Sequence, residues 1–224
     1  MVKAVIFDVD GTLIDSVPQH AEAWQDAFRD FGHDFPLEDI RRQIGKGGDH
    51  LLPVFLSEAE IEERGEALEK HRAEILKTRY LPTIEGLPGV RALVERLQAD
   101  GRRLALASSA KSDELQTYKE IAGIADLIGT ETSSDDAESS KPSPDIFEAA
   151  LKRLDGIAPD DVLVIGDTPY DAEAAHKAGL RTIGLLSGGW TAEELTRAGC
   201  IATYRDPADL LAAYETSPLR LPAS

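Results

Sequence analysis

The sequence predicts an α/β protein in which a doubly wound parallel sheet is interrupted, after its first strand, by an all-helical insert. Short apolar runs recur along most of the chain, as strands buried on both faces require. Amphipathic helical stretches separate them, the alternation expected of a parallel sheet with crossover helices. Between about Ser16 and Pro82 the pattern changes: no run reads as a strand and every periodic stretch is helical.

The first strand is "AVIFDV", which leads into "DGTLID". Over 17–31 the apolar positions Val17, Ala21, Trp24, Phe28 and Phe31 repeat at helical spacing, with Asp15 as the expected cap. A charged helix over 57–79 carries a thinner stripe through Ile61, Leu68 and Ile75. The chain leaves for this insert around 13–16 and returns around 81–88, where Pro82, Gly86, Pro88 and the adjoining Gly89 suit a hinge. A helix over 88–99 opens with Pro88 and closes before Gly101. "RLALASS", 103–109, is the second strand, followed by a helix over 112–122 and a weaker strand, "ADLIGT", at 125–130. The acidic, serine-rich "SSDDAESS", 133–140, reads as a solvated loop that leads into Lys141. A helix over 144–154, the strand "VLVIGD" at 162–167, a helix over 170–178 stopped by Gly179 and the strand "TIGLLS" at 182–187 complete the pattern. The expected domains are a core of residues 1–15 and 86–224 and a helical cap of residues 16–85.

Composition narrows the possible functions. With 24 basic and 41 acidic residues the formal charge is −17, which repels nucleic acid and anionic membranes. An anionic small molecule would bind only where a cation, a placed lysine or backbone N–H groups reverse the local field. The single cysteine, Cys200, precludes an internal disulfide and reads as a small apolar residue. The first apolar stretch is cut by Asp8, so it suits neither a signal peptide nor a membrane span. The expected location is cytoplasmic, and the expected state is a monomer or weak homodimer.

Polar residues gather where the strands end, the place at which open α/β sheets hold their ligands. Asp8 and Asp10 end the first strand, Ser108 and Ser109 the second; Lys141 opens "KPSPD", and "GDTPYD" contributes Asp167 and Asp171. Two carboxylates at the end of a buried strand are costly unless paired, hydrogen-bonded or bound to a cation. Each motif alone has an ordinary explanation: Asp10-Gly11 as a turn, Asp167 and Ser108 as helix caps, Lys141 as a surface lysine. Independent caps have no reason to fall in this order at successive strand ends.

Together, "DVDGTL", the strand ending in Ser108, the lysine of "KPSPD" and "GDTPYD" resemble the four motifs of the haloacid dehalogenase-like hydrolase superfamily. The resemblance covers nearly the whole chain, and the helical insert falls where helical-cap members carry theirs. It implies a Rossmann-like core and Mg²⁺-dependent hydrolysis of a small phosphorylated metabolite, a sugar phosphate or phosphoglycolate-like monoester, through an aspartyl phosphate. On chemical grounds Asp8 can attack a phosphoryl group. Asp10, brought round by a turn at Gly11, can protonate the leaving alcohol and later deprotonate water. The resemblance assigns the same roles and adds the Asp10 main-chain carbonyl to the metal ligands. Oxygen ligands from Asp8, Asp10 and Asp167 suit Mg²⁺, while Ser108, Ser109 and Lys141 would hold phosphate oxygens. Asp171 would orient Lys141 or a water beside the metal.

Two cap residues are candidates for substrate contact. His20 stands in an "H-x-x-A-W" context similar to that of β-phosphoglucomutases, where the histidine faces substrate; the alternative is a packed ring. Lys46 lies in "IGKGGDHLL", either an anion-binding helix start or a plain interhelix turn. β-Phosphoglucomutases place an arginine in this loop, whereas Gly47, Gly48 and Asp49 supply none and Lys46 lacks the bidentate fork. A phosphatase is therefore preferred to a phosphosugar mutase. Asp10 argues against a dehalogenase, which has no alcohol to protonate, and the intact acid/base argues against a non-catalytic phosphate-binding module.

Overall fold

The computed structural model describes residues 2–220. Its strands, in chain order, are β1 (Ala4–Phe7), β2 (Ile14–Asp15), β3 (Glu85–Gly86), β4 (Arg103–Ala107), β5 (Glu131–Thr132), β6 (Val162–Gly166), β7 (Arg181–Leu185) and β8 (Cys200–Tyr204). Six of these form one parallel sheet in the order β5-β4-β1-β6-β7-β8. β1 and β6 lie at its centre and are buried along their whole length, which is why both are apolar on both faces. After β1 the chain builds outward through β4 and β5, then returns to start β6 on the other side. The direction of winding therefore reverses between β1 and β6, and a crevice opens at the carboxyl ends of these strands. Phe7 is level with both Leu106 and Ile165, so the residues that follow all three strands emerge together.

The chain separates into two compact units, one running to Asp15 and resuming at Glu85, the other spanning Ser16–Ile84. The second is helical: α1 (Val17–Asp30), α2 (Leu37–Arg41), α3 (Gly48–Phe55) and α4 (Glu58–Ile75). It has its own core around Trp24, Phe28, Ile40, Leu51 and Leu68. Phe28 is central, with ring centroids 5.6 Å from Trp24, 5.1 Å from Phe35 and 5.3 Å from Phe55. α4 begins with a reciprocal Ser57–Glu60 capping box and continues beyond Ile75 as a wider π-type turn, Leu76–Tyr80. Asp15 does not cap α1: it lies exposed in β2, and the cap position falls to Ser16 with Pro18 in the first turn. α3 begins where the glycines after Lys46 suggested a helix start, and contains Pro53; the sequence pattern did not reveal α2, whose five residues are too few to show a repeat.

In the first unit α5 (Val90–Ala99), α6 (Ser112–Ile121), α7 (Asp145–Arg153), α8 (Pro169–Lys177), α9 (Ala192–Ala198) and α10 (Pro207–Ala212) accompany the sheet. One face of the sheet buries Ile6, Ala105 and Val164 with Phe147 and Leu154. The expected strand at 125–130 is corrected. Ile128 there and Ile124 just before it are buried, but the backbone turns, Leu127 N–H bonding to the Ile124 carbonyl at 2.9 Å. The pairing strand is the next one, β5, against Leu106 and Ala107. β8 was not foreseen because it is a partly exposed edge without a continuous apolar run. Nor is 133–140 simply a solvated loop: Ser133 is buried, shares a capping box with Asp136, and Asp135 accepts from Ser112 at 2.8 Å. Finally, β2 and β3 pair antiparallel, Ile14 opposite Gly86 and Asp15 opposite Glu85. Among the described residues no helix is long and apolar enough to cross a membrane.

Candidate active site

β1 delivers Asp8. Its N–H still bonds to the Ile165 carbonyl of β6 at 2.9 Å, so the side chain leaves from the last laddered position. The chain then turns: Gly11 adopts φ +74°, open to glycine at no steric cost, and Leu13 N–H returns to the Val9 carbonyl at 2.8 Å. Asp10 sits half-buried on this turn, bridged to Ile14, and its charge reaches Asp8. Thr12 follows, fully buried, with Oγ1 3.2 Å from Asp8 Oδ2 and 3.1 Å from Asp167 Oδ1. One hydroxyl proton is thus offered to two carboxylates.

Lys141 is 1% exposed, an unusual depth for a lysine. Its Nζ bonds to Asp8 Oδ1 and, at 2.8 Å, to Asp171 Oδ1. Asp171 is fixed in turn by the first turn of α8. Its Oδ2 accepts from Thr168 N–H at 3.0 Å and Thr168 Oγ1 at 2.6 Å, while its own N–H donates to Thr168 Oγ1 at 3.2 Å. Gly166 makes room for this carboxylate, since a Cβ there would lie 2.7 Å from Asp171 Cγ. Asp167, between these residues, is fully buried, and its Oδ2 has no hydrogen-bond partner among the described residues.

Oxygen atoms of Asp8, Asp167 and Asp171 lie within 4.8 Å of one another. Three carboxylates facing one ammonium leave an excess of negative charge in a site shielded from water. Burial accordingly pushes the Asp8 carboxyl up to about 7, against the pull of Lys141 and with the help of Asp171 and Asp10. It pushes Asp167 well above the ordinary range too, reinforced by Asp8 and Asp171. Burial also opposes the Lys141 charge, but Asp171 and Asp8 outweigh it and hold the ammonium above its usual value. Hard oxygen donors, one of them an orphaned buried Asp167 oxygen, fit a small divalent cation. Asp171 is the poorest ligand of the three because Lys141 and Thr168 already occupy its oxygens.

Ser108 directly follows β4, the strand beside β1, and is fully buried. Its N–H bonds to the Thr132 carbonyl at 3.1 Å and its Oγ accepts from Ala110 N–H at 3.1 Å; Ser109 is half-buried next to it. His20 and Lys46 belong to the helical unit. His20 is half-buried in the first turn of α1, and Lys46 Nζ donates to Gln43 Oε1 at 2.7 Å. Sequence reasoning did not single out Thr12 or Thr168. Thr168 carried a signal, the spacing to Asp171 of a capping box; Thr12 carried only its place after the Gly11 turn.

A parallel α/β sheet that gathers buried carboxylates and a buried lysine at its switch point defines the chain as an enzyme of the α/β class. A sequence model of the haloacid dehalogenase-like hydrolase family matches residues 2–179, and the chain belongs to that family. It is 28% identical to a phosphorylated carbohydrates phosphatase of Thermotoga maritima, covering 94% of this chain and 97% of that protein. It is 33% identical to a phosphoglycolate phosphatase of Nitrosospira multiformis over 80% of each chain. The solved structure of a hydrolase from Pseudomonas syringae superposes with a TM-score of 0.89 at 34% identity, covering 96% of this chain and 98% of that one.

Proposed function

We propose that the protein is a Mg²⁺-dependent phosphatase of small organic phosphate monoesters, of the phosphoglycolate or sugar phosphate class, working through an aspartyl phosphate. The observation that carries this reading is the buried Asp8–Lys141–Asp171 chain beside an Asp167 oxygen that no group among the described residues satisfies. The names of the related phosphatases support the substrate class.

Asp8 attacks phosphorus, and the bond to the leaving oxygen breaks as Asp10 gives that oxygen its proton. Asp10, now ionised, takes a proton from water, which attacks the Asp8-bound phosphoryl group and releases phosphate. Lys141, Ser108 and Ser109 hold phosphoryl oxygens during both transfers. Asp171 keeps Lys141 in place, and Thr12 orients the Asp8 and Asp167 carboxylates. Asp8, Asp167 and the main-chain carbonyl of Asp10 would hold the cation, which supplies charge neutralisation between carboxylates and phosphate. His20 and Lys46 are assigned to substrate selection by the helical cap.

The test is a screen of phosphorylated metabolites with and without Mg²⁺. Mg²⁺-dependent phosphate release is expected, absent in Asp8→Asn and slowed by ~10²–10⁴-fold in Asp10→Asn, the contribution of general acid–base catalysis. Full activity of Asp8→Asn would remove it as the nucleophile. Isomerisation of β-glucose 1-phosphate, primed with a bisphosphate, that outruns phosphate release would replace the phosphatase by a mutase.

A further inference from the structure

The segment after β7, Leu186–Trp190, belongs to none of the motifs used above, yet three of its residues touch the surroundings of the site. Ser187 Oγ donates to the Gly11 main-chain carbonyl at 2.6 Å. That carbonyl belongs to the turn carrying Asp10, one residue away. Gly188 is buried and backs directly onto Asp167: a Cβ there would overlap the Asp167 Oδ2 position and lie 2.8 Å from Cγ and 2.9 Å from Cβ. Trp190 meets Tyr170 edge-on, with centroids 6.0 Å apart and ring planes at 85°. Tyr170 lies in the first turn of α8, immediately before Asp171.

We propose that Leu186–Trp190 is a positioning strap, in which Ser187 fixes the turn that aims Asp10 and Gly188 fixes the rotamer of Asp167. The inference rests on the roles given above to Asp10 and Asp167. Asp10 is on a turn rather than in the sheet ladder, so the placement of its carboxyl depends on the backbone angles around Gly11. A hydrogen bond to that backbone from across the fold holds those angles. Displacements of about an ångström at a reacting group cost up to ~10²-fold in rate. Gly188 acts by exclusion: without a side chain it lets the strap lie flat against Asp167, leaving the carboxylate no room to swing that way. The Trp190–Tyr170 contact ties the far end of the strap to the helix that carries Asp171.

The test uses full-length Ser187→Ala, Ser187→Thr and Gly188→Ala. In single-turnover reactions Ser187→Ala should slow cleavage of an alkyl phosphate by about tenfold, and cleavage of 4-nitrophenyl phosphate, whose leaving group needs little protonation, by less than about twofold. KM should hold, and Ser187→Thr, which keeps the hydroxyl, should recover the alkyl rate. An equal loss on both esters, or none, overturns the role of Ser187. For Gly188→Ala the readout is thermal unfolding titrated with Mg²⁺ in the absence of substrate. The half-saturating concentration should rise by about tenfold, and an unchanged value overturns the role of Gly188. A wild-type protein that cleaves neither ester would remove the phosphatase reading and the Asp10 part with it, while the Mg²⁺ titration still decides the contact with Asp167.

Discussion

Burial makes Asp8 and Asp167 reluctant to ionise, and this gives the site a defined response to pH. Their carboxyls titrate above the ordinary 3.8, Asp8 at about 7. Without a cation, the folded protein therefore holds protons that the unfolded chain has already released. The stability this contributes is complete below the ordinary carboxylate range and is lost as pH rises through about 7. A cation needs the ionised carboxylates and competes with those protons. The melting temperature of metal-free protein should therefore fall between about pH 5.5 and pH 8, while the increment given by Mg²⁺ should grow, as scanning calorimetry can measure. An increment that shrinks over this range would contradict the assignment. Lys141 supports the same cluster from the other side. Lys141→Met leaves Asp8 and Asp171 without their shared counter-ion and should cost about 3–5 kcal/mol in metal-free protein, the usual penalty for breaking a buried pair. Its partners were foreseeable because charged residues at the ends of apolar runs stand out in a sequence. The bridging role of Thr12 was not: it depends on two distances from one hydroxyl, which residue type and spacing do not encode.

Among the elements, legibility followed burial. β1, β4 and β6 are apolar at nearly every position because both faces are covered, and each could be placed from its run alone. β5 has two residues and β8 a mixed edge pattern, so neither leaves a periodic trace. The run at 125–130 was misleading for a related reason: Ile128, with Ile124 just before the run, fills the core from a turn, and hydrophobicity alone does not distinguish a turn from a strand. α8 shows how a local element serves the site. Its cap, Thr168, and its third residue, Asp171, satisfy each other's backbone N–H groups, so the cap that starts the helix also orients the partner of Lys141. Thr168→Ala should lower stability by about 1 kcal/mol, the usual value of an N-cap. It should also raise the phosphate concentration needed for half-maximal inhibition, because Asp171 is then free to rotate away from Lys141. Unfolding and inhibition curves on the same sample separate the two effects.

At the scale of the whole molecule, the −17 charge and the buried ammonium perform different tasks. The first disfavours the approach of polyanions; the second offsets part of the negative charge that Asp8, Asp167 and Asp171 concentrate in the site. The groups of this cluster, Asp8, Thr12, Lys141, Asp167 and Asp171, all lie in the unit that holds the sheet. That unit is interrupted in sequence but closed in space, because β2 and β3 clamp the departing and returning chain side by side. Asp15 and Glu85 are cross-strand neighbours, the spacing that a two-residue Asn-Gly turn joins in an ordinary hairpin. Topologically, the 69 residues of Ser16–Ile84 are a decorated hairpin loop. Replacing them with Asn-Gly should leave a protein that keeps its circular-dichroism signature of a parallel sheet and its Mg²⁺-dependent rise in melting temperature; loss of either would show that the sheet unit does not fold without the insert. The short ladder thus closes the sheet unit on itself, so that the helical segment can be exchanged without breaking any strand of the six-stranded sheet.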